Sequence, residues 1–126
     1  MVKIAEWRVL LVDDEPDTLF TVREILAASG VADVQEATDG EECVAMLDTA
    51  LPNLILLDLR MPRMDGWQTL QAIRQHPALA SVPVAAITAY HSVAVEREAY
   101  AAGFDAYFPK PFTAAEFIGG LDALMN

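Results

Sequence analysis

The sequence predicts an α/β protein in which a parallel sheet is covered by helices on both faces. Two observations support this fold class: five short apolar runs each precede a segment with helical periodicity, and the connections between them are short. Strands that alternate with helices favour parallel pairing with right-handed crossovers. The length of 126 residues is typical of one domain. We therefore expect a single doubly wound domain over residues 1–126.

Each predicted strand is a short run of apolar residues that stops at a polar or turn-forming residue. The third run is the most strand-like, because it is uninterrupted and ends at Asp58. Since these runs are apolar on both faces, we expect the sheet to be buried on both sides. In chain order, the predicted strands are Leu10–Val12, Val34–Ala37, Leu54–Leu57, Val84–Thr88 and Ala106–Phe108.

Each predicted helix follows a strand and carries apolar residues at helical spacing. The first helix begins at Pro16, whose missing N–H costs nothing in a first turn, and Gly30 follows its last periodic residue. The second helix follows Asp39-Gly40 and carries Val44 and Leu47 on its apolar face. The last three helices are predicted at Gly66–Gln75, Val93–Ala102 and Thr113–Met125.

The composition excludes several classes of protein. The chain has 19 acidic and 8 basic residues and a formal net charge of -11, yet 54% of it is hydrophobic, which excludes a disordered acidic tail. The acidic surplus disfavours direct binding to nucleic acid. No apolar run is long enough to cross a membrane. The one cysteine, Cys43, cannot form an internal disulfide, so we interpret it as an apolar filler and expect a cytoplasmic location.

Reactive side chains stand at the carboxyl ends of four predicted strands. Asp13 and Asp14 follow the first strand, Asp58 the third, Thr88 ends the fourth, and Lys110 comes after the fifth. Ligands of open α/β sheets bind at this edge. Clustered carboxylates repel unless a cation or a proton is shared among them, and an oxygen-only donor set favours Mg²⁺. A carboxylate beside such an ion, with an ammonium opposite, is suited to attack phosphorus and form an aspartyl phosphate.

At these residues the sequence resembles the receiver domains of two-component response regulators, most of all the chemotaxis receivers. The resemblance runs from about residue 9 to residue 124, and four segments carry it: Val12–Pro16, Asp58–Gly66, Ile87–Ala89 and Gly103–Phe112. It implies the flavodoxin-like (βα)5 fold with strand order 2-1-3-4-5. It also implies a phosphorylation-dependent switch rather than an enzyme, with a sensor histidine kinase or a phosphotransfer protein as the donor of the phosphoryl group.

The resemblance assigns roles to the residues around the phosphoryl group. Asp58 matches the phosphoacceptor, which is also a metal ligand, and Lys110 matches the lysine that pairs with the phosphoryl oxygens. Asp14 matches a direct ligand of Mg²⁺, Asp13 a ligand that acts through water, and Arg60 a ligand through its backbone carbonyl. The Lys110–Pro111 peptide bond is expected to be cis.

Switching and stability of the phosphorylated state are assigned to other positions. Thr88 matches the hydroxyl that moves to the phosphoryl group, and Tyr107 the aromatic side chain that swings inward behind it; alternatively, Tyr107 is a half-buried strand residue without a switching role. Ala89 has a small side chain and a backbone N–H that faces the phosphoryl group. Arg60 and Tyr90 flank that group, and our hypothesis is that they shield it from water.

Three other functions stay open at this point. A degenerate receiver that only docks a partner is disfavoured because the five reactive residues are all present. A phosphatase of the haloacid dehalogenase kind also uses an aspartyl nucleophile, but it places a second Asp two residues later, where this chain has Arg60. A nucleotide-binding module is disfavoured even more strongly, because no glycine-rich loop follows the first strand.

The face formed by residues Val93–Met125 is expected to contact a downstream protein target. The last helix has no Lys or Arg, which disfavours a charge-paired dimer, so we expect a monomer or a weak homodimer. No effector domain is expected, and whether the chain acts alone or within a longer regulator stays open. Trp7 is expected to be a partly exposed cover, and His76 and His91 to be isolated surface residues.

Overall fold

The five strands of the computed structural model, which describes residues 2–126, pair in parallel in one sheet. They are β1 (Arg8–Val12), β2 (Asp33–Ala37), β3 (Leu54–Asp58), β4 (Val84–Thr88) and β5 (Ala106–Pro109). Their order is β2-β1-β3-β4-β5, which confirms the expected topology. The chain order reverses where β1 lies beside β3, so the carboxyl ends of these two strands form the edge at which ligands of such sheets bind.

Five helices connect and follow the strands, at the positions that the sequence predicts. They are α1 (Pro16–Ala28), α2 (Gly40–Ala50), α3 (Gly66–Gln75), α4 (Val93–Ala102) and α5 (Ala114–Met125). The side chains of Asp39, Asp65, Ser92 and Thr113 accept hydrogen bonds from first-turn N–H groups and so begin the last four helices. Within residues 2–126, no helix is both long and apolar enough to span a membrane.

The sheet separates two apolar layers, and alternate residues of each central strand enter opposite layers. Leu10 and Ile55 pack beneath α2, α3 and α4, whereas Leu11 and Leu56 pack beneath α1 and α5. Burial of each such side chain contributes on the order of 2 kcal/mol of transfer free energy. The strands that carry the reactive edge therefore lie at the centre of the core.

The edge strand β2 departs from the expectation of a sheet that is buried on both faces. Its residues alternate between exposed and partly or fully buried, and only Ala37 at its end is fully buried. Arg23 of α1 covers the strand by pairing with Glu36 at 2.7 Å and by donating to the carbonyl of Val34. Polar groups on an edge strand also discourage pairing with another chain.

Two apolar residues lie where the sequence analysis did not expect them. Trp7 was expected to be partly exposed, but it is fully buried, because the turn at Ile4–Glu6 directs it into the layer beneath α1 and α5. Val44 was expected on the apolar face of α2, but it is 37% exposed, and Cys43 takes that position instead. Burial raises the pKa of the Cys43 thiol to about 12, as is typical of an inert filler.

His76 was expected to be isolated, but it joins two helices. Its Nε2 lies 2.7 Å from a carboxylate oxygen of Asp48 on α2, and its Nδ1 accepts from the N–H of Ala78. The contact arises because His76 directly follows α3, whose packing against α2 brings the two ends together. A single position in the sequence does not reveal such a pairing.

Arg74 at the end of α3 holds together three segments that are distant in sequence. Its guanidinium donates to the carbonyls of Val82 and Gly103 and pairs with Asp105 at 3.0 Å. Asp105 in turn accepts from the N–H of Val84, the first residue of β4. The network therefore ties α3 to the starts of β4 and β5.

We expect Arg74→Met to lower the free energy of unfolding by on the order of 1–3 kcal/mol, because it leaves partly buried carbonyls and Asp105 without their donor. Urea unfolding measures this loss. Arg97→Met is the matched control, since Arg97 lies on the exposed side of α4. Equal stability of the two variants would contradict the structural role of Arg74.

Candidate functional site

Three carboxylates meet at the carboxyl ends of β1 and β3. Asp13 and Asp14 follow β1, Asp58 ends β3, and one oxygen of each lies within 4.8 Å of one oxygen of the other two. Asp13 is fully buried and Asp58 is 4% exposed, whereas Asp14 faces solvent. The site therefore concentrates negative charge in a place where water screens it poorly.

Burial and like charges raise the pKa of Asp58 to about 7. Desolvation is the largest cause, followed by repulsion from Asp13, with a smaller contribution from Asp14. The ammonium of Lys110 and the backbone N–H of Arg60, which lies 3.3 Å from Asp58 Oδ1, oppose this rise. A cation at the cluster would stabilise all three carboxylates in their charged form.

The side chain of Lys110 reaches the cluster from the loop after β5. Its Nζ donates to Asp13 Oδ2 at 3.0 Å and to Thr18 Oγ1 of α1 at 3.1 Å. Its backbone N–H donates to the carbonyl of Thr88 at 2.8 Å, and its peptide bond to Pro111 is cis, as expected. Thr18 was not predicted as part of the site, because nothing in the sequence indicates which residues of α1 face this loop.

Thr88 is fully buried at the end of β4, next to β3 in the sheet. Its hydroxyl oxygen accepts a hydrogen bond from the backbone N–H of Tyr90 at 3.0 Å. Ala89, between them, is exposed beside the carboxyl edge. The hydroxyl therefore holds the start of the loop that leads to α4.

Gly66 fixes the start of α3 against the end of β3. Its N–H donates to the carbonyl of Leu59 at 3.0 Å, and a Cβ at this position would overlap the backbone oxygen of Asp58. The helix was predicted to begin at Gly66, and the cap by Asp65 confirms this start. The close approach to Asp58 was not recognised, because it depends on the packing of α3.

Arg60 and Tyr90 contact each other across the open side of the edge. The guanidinium carbon of Arg60 lies 4.4 Å from the centroid of the Tyr90 ring, a cation–π arrangement. Both residues line a small cavity with Thr88 and Trp67. Arg60 and Trp67 also line a larger cleft of about 530 Å³ that Asp14 borders. The two exposed side chains thus lie on the solvent side of the cavity that Thr88 lines.

Tyr107 on β5 is buried, with 8% of its surface exposed, and its hydroxyl lies 2.9 Å from Nδ1 of His91. His91 was expected to be an isolated surface residue, but the loop after β4 brings it onto the tyrosine. Burial raises the pKa of Tyr107, and the carboxylate of Glu96 raises it further. Tyr107 therefore links β5 to the loop that Thr88 begins.

A parallel sheet with order 2-1-3-4-5 and an acidic cluster at its switch point defines a flavodoxin-like α/β domain built around a charged edge. Residues 9–122 match the model of the response regulator receiver domain, and the chain belongs to this family of regulatory domains. Membership implies a part in phosphorylation-dependent signalling by two-component systems.

Known proteins resemble the chain over almost its full length. Protein PilG of Pseudomonas aeruginosa is 32% identical, over 92% of this chain and 85% of PilG. The chemotaxis protein CheY4 of Vibrio cholerae is 28% identical with a TM-score of 0.86, over 94% of this chain and 98% of CheY4. The receiver domain of a sensor histidine kinase from Pseudomonas aeruginosa is 28% identical with a TM-score of 0.85, over 94% of this chain and 97% of that domain. Its structure contains a magnesium ion coordinated in the active site cleft.

The raised pKa of Asp58 predicts how metal-free stability depends on pH. The pKa is about 7 in the folded protein against an ordinary value of 3.8, so the folded state keeps a proton that the unfolded chain releases. The free energy of unfolding therefore falls as pH rises through this window. We expect Asp58→Asn, which is neutral at every pH, to raise it by on the order of 2–3 kcal/mol at pH 8 and by little at pH 4.

Urea unfolding in the presence of a chelator, repeated at several pH values, measures this difference. Asp33→Asn is the matched control, because Asp33 is exposed at the start of β2. An equal gain at pH 4 and pH 8 for Asp58→Asn would show that its effect does not come from a raised pKa.

Proposed function

We propose that this chain is a phosphorylation-dependent switch in which Asp58 accepts a phosphoryl group from a phosphohistidine. The donor is a sensor histidine kinase or a phosphotransfer protein, and the reaction requires Mg²⁺. One observation carries the proposal: Asp58 is buried at the carboxyl end of β3, between the carboxylates of Asp13 and Asp14 and the charge of Lys110. Family membership supports the same reaction.

The donor set fits Mg²⁺. The three carboxylates converge with oxygen atoms alone, and this hard cation prefers such ligands together with several water molecules. Asp14 and Asp58 would bind it directly, Asp13 through water, and Arg60 through its backbone carbonyl. The bound ion supplies positive charge to the phosphoryl oxygens. The magnesium ion in the Pseudomonas receiver structure supports this assignment.

The transfer exchanges one bond to phosphorus for another. An oxygen of ionised Asp58 attacks the phosphorus, the P–N bond to the donor imidazole breaks, and its electron pair returns to that nitrogen. Such reactions depend mainly on positioning and charge neutralisation, so no separate general base is required. Lys110 and the backbone N–H of Ala89 would stabilise the phosphoryl oxygens. Attack by water on the same phosphorus later breaks the bond to Asp58 and releases phosphate.

Thr88 and Tyr107 would transmit the change to the surface. In the structure the Thr88 hydroxyl oxygen accepts a hydrogen bond from the N–H of Tyr90. When the hydroxyl donates to a phosphoryl oxygen instead, it turns away from that N–H. That shift moves the loop of residues 89–92, where His91 contacts the Tyr107 hydroxyl. The change of charge at Asp58 would thus shift the loop of residues 89–92 from one packed conformation to another.

The partner surface in this proposal is the face of α4, β5 and α5, residues Val93–Met125. Val93 and Tyr100 are exposed there by 61% and 48%. The affinity of a downstream protein for this face would depend on the position of Tyr107 and of the loop of residues 89–92. Because α5 carries no basic residue for a charge-paired dimer, the chain acts in this proposal as a monomer or a weak homodimer. The proposed location is the cytoplasm.

Incubation with acetyl phosphate and Mg²⁺ tests the proposal. We expect intact-mass analysis to detect one adduct of about 80 Da, the mass of a phosphoryl group. Asp58→Asn and removal of Mg²⁺ by a chelator should each abolish the adduct, because the first removes the nucleophile and the second the charge that supports transfer.

Asp33→Asn is the control and should be modified like the wild-type protein. No adduct on the wild-type protein would favour a degenerate receiver that only docks a partner. Continuous turnover of phosphate esters without a stable adduct would favour a phosphatase.

The contact between Arg60 and Tyr90 predicts the lifetime of the phosphorylated state. We propose that the pair shields the acyl phosphate from water. Either Arg60→Ala or Tyr90→Ala should therefore raise the rate constant of phosphoryl loss by about two- to fivefold, the equivalent of one exposed cation–π interaction. The decay of the adduct after removal of the donor measures this rate.

The double variant should decay no faster than either single variant, because the two side chains act as one unit. Tyr100→Ala is the matched control, since that exposed tyrosine lies on α4 away from the edge. Unchanged lifetimes in Arg60→Ala and Tyr90→Ala would defeat the shielding hypothesis.

A further inference from the structure

We propose that Thr18 of α1 is a positioning residue that orients the Lys110 ammonium for phosphoryl transfer to Asp58. The inference deepens the proposed function and rests on it. Two contacts fix the ammonium: Asp13 Oδ2 at 3.0 Å and Thr18 Oγ1 at 3.1 Å. The two partners come from different elements, the end of β1 and the first turns of α1.

Both ends of the lysine side chain are held. The backbone N–H of Lys110 is bonded to the carbonyl of Thr88, which fixes the root of the side chain beside β4. The side chain itself is only 15% exposed. A lysine stem has four rotatable bonds, so the position of its charge depends on the contacts at the tip. Thr18 and Asp13 provide those contacts.

The part of α1 that carries Thr18 is packed against the sheet. The next residue, Leu19, and Val22 one turn further are buried in the layer between α1 and the sheet. α1 also contacts α5, whose start follows the loop of Lys110. The hydroxyl of Thr18 is therefore held at a defined distance from that loop.

Thr18 differs from Asp13 because it is neutral. Asp13 belongs to the acidic cluster, and its attraction for Lys110 changes when the charge of the cluster changes. The hydroxyl of Thr18 accepts from Lys110 whatever charge Asp13 and Asp58 carry. It keeps the ammonium near the position where negative charge grows on the phosphoryl oxygens while Asp58 attacks and the donor leaves. A hydrogen bond from a charged donor is strong enough to decide this orientation.

A pair of substitutions isolates the hydroxyl. Thr18→Val keeps the size and branching of the side chain but removes the acceptor, whereas Thr18→Ser keeps the acceptor. We expect Thr18→Val to lower the second-order rate constant for phosphorylation by acetyl phosphate by about tenfold, and Thr18→Ser to restore most of it. Intact-mass analysis at timed intervals measures the rate.

Mg²⁺ binding separates positioning from a general structural effect. Trp67 and Asp14 border the same cleft, so Trp67 fluorescence follows a Mg²⁺ titration. The affinity and the midpoint of thermal unfolding should be unchanged in Thr18→Val. A rate loss that comes with weaker Mg²⁺ binding or with unfolding would overturn the positioning role.

Lys110→Met supplies the second test, because Thr18 acts only through the lysine. In that background Thr18→Val should cause no further loss of rate. A further loss there, or a wild-type rate in Thr18→Val, would refute the inference. If the wild-type protein itself forms no adduct, the proposed function fails, and the two failures are thereby distinguished.

Discussion

The repulsion among Asp13, Asp14 and Asp58 is the constraint on which the carboxyl edge of this protein depends. Parallel pairing of β1 and β3 brings the ends of these strands together, and one oxygen of each acidic side chain lies within 4.8 Å of one oxygen of the other two. Burial of two of them increases the cost of their charge, which is why the pKa of Asp58 rises to about 7. The apolar layers on both faces of the sheet offset this cost.

The groups around the cluster each relieve or direct its charge. Lys110 places an ammonium against Asp13, and the N–H of Arg60 points at Asp58. Asp13 also accepts from the N–H of Glu15 at 2.8 Å, which turns the chain into α1. Because Gly66 admits the start of α3 against β3, the backbone stays close to Asp58 without blocking its carboxylate. The conformations of the loops at this edge are therefore linked to their contacts with the three carboxylates.

The sequence was sufficient to predict the elements and their order, because short apolar strands, helix caps and turn residues are local signals. It was also sufficient to predict that the reactive residues lie at one edge, because the carboxyl ends of parallel strands meet at the same edge of a sheet. It did not predict the burial of Trp7, which depends on a short turn before β1, or the polar alternation of β2, which depends on its place at the sheet edge. Both features result from packing between different segments, whereas hydrophobic periodicity describes each segment by itself.

The contacts that sequence reasoning missed share a further property: they join residues near the reactive edge to segments that are distant in sequence. Thr18 connects Lys110 to α1 across 92 positions of the chain, and His91 connects the loop before α4 to Tyr107. Neither residue stands out by type or by spacing, since each has meaning only through its partner. In the proposed switch, a change of charge at Asp58 would act first on Lys110, which contacts α1 through Thr18, and on Thr88, which holds the loop before α4 through the N–H of Tyr90. In the proposed switch, transmission of the signal would therefore depend on Thr18 and His91 as well as on the acidic cluster.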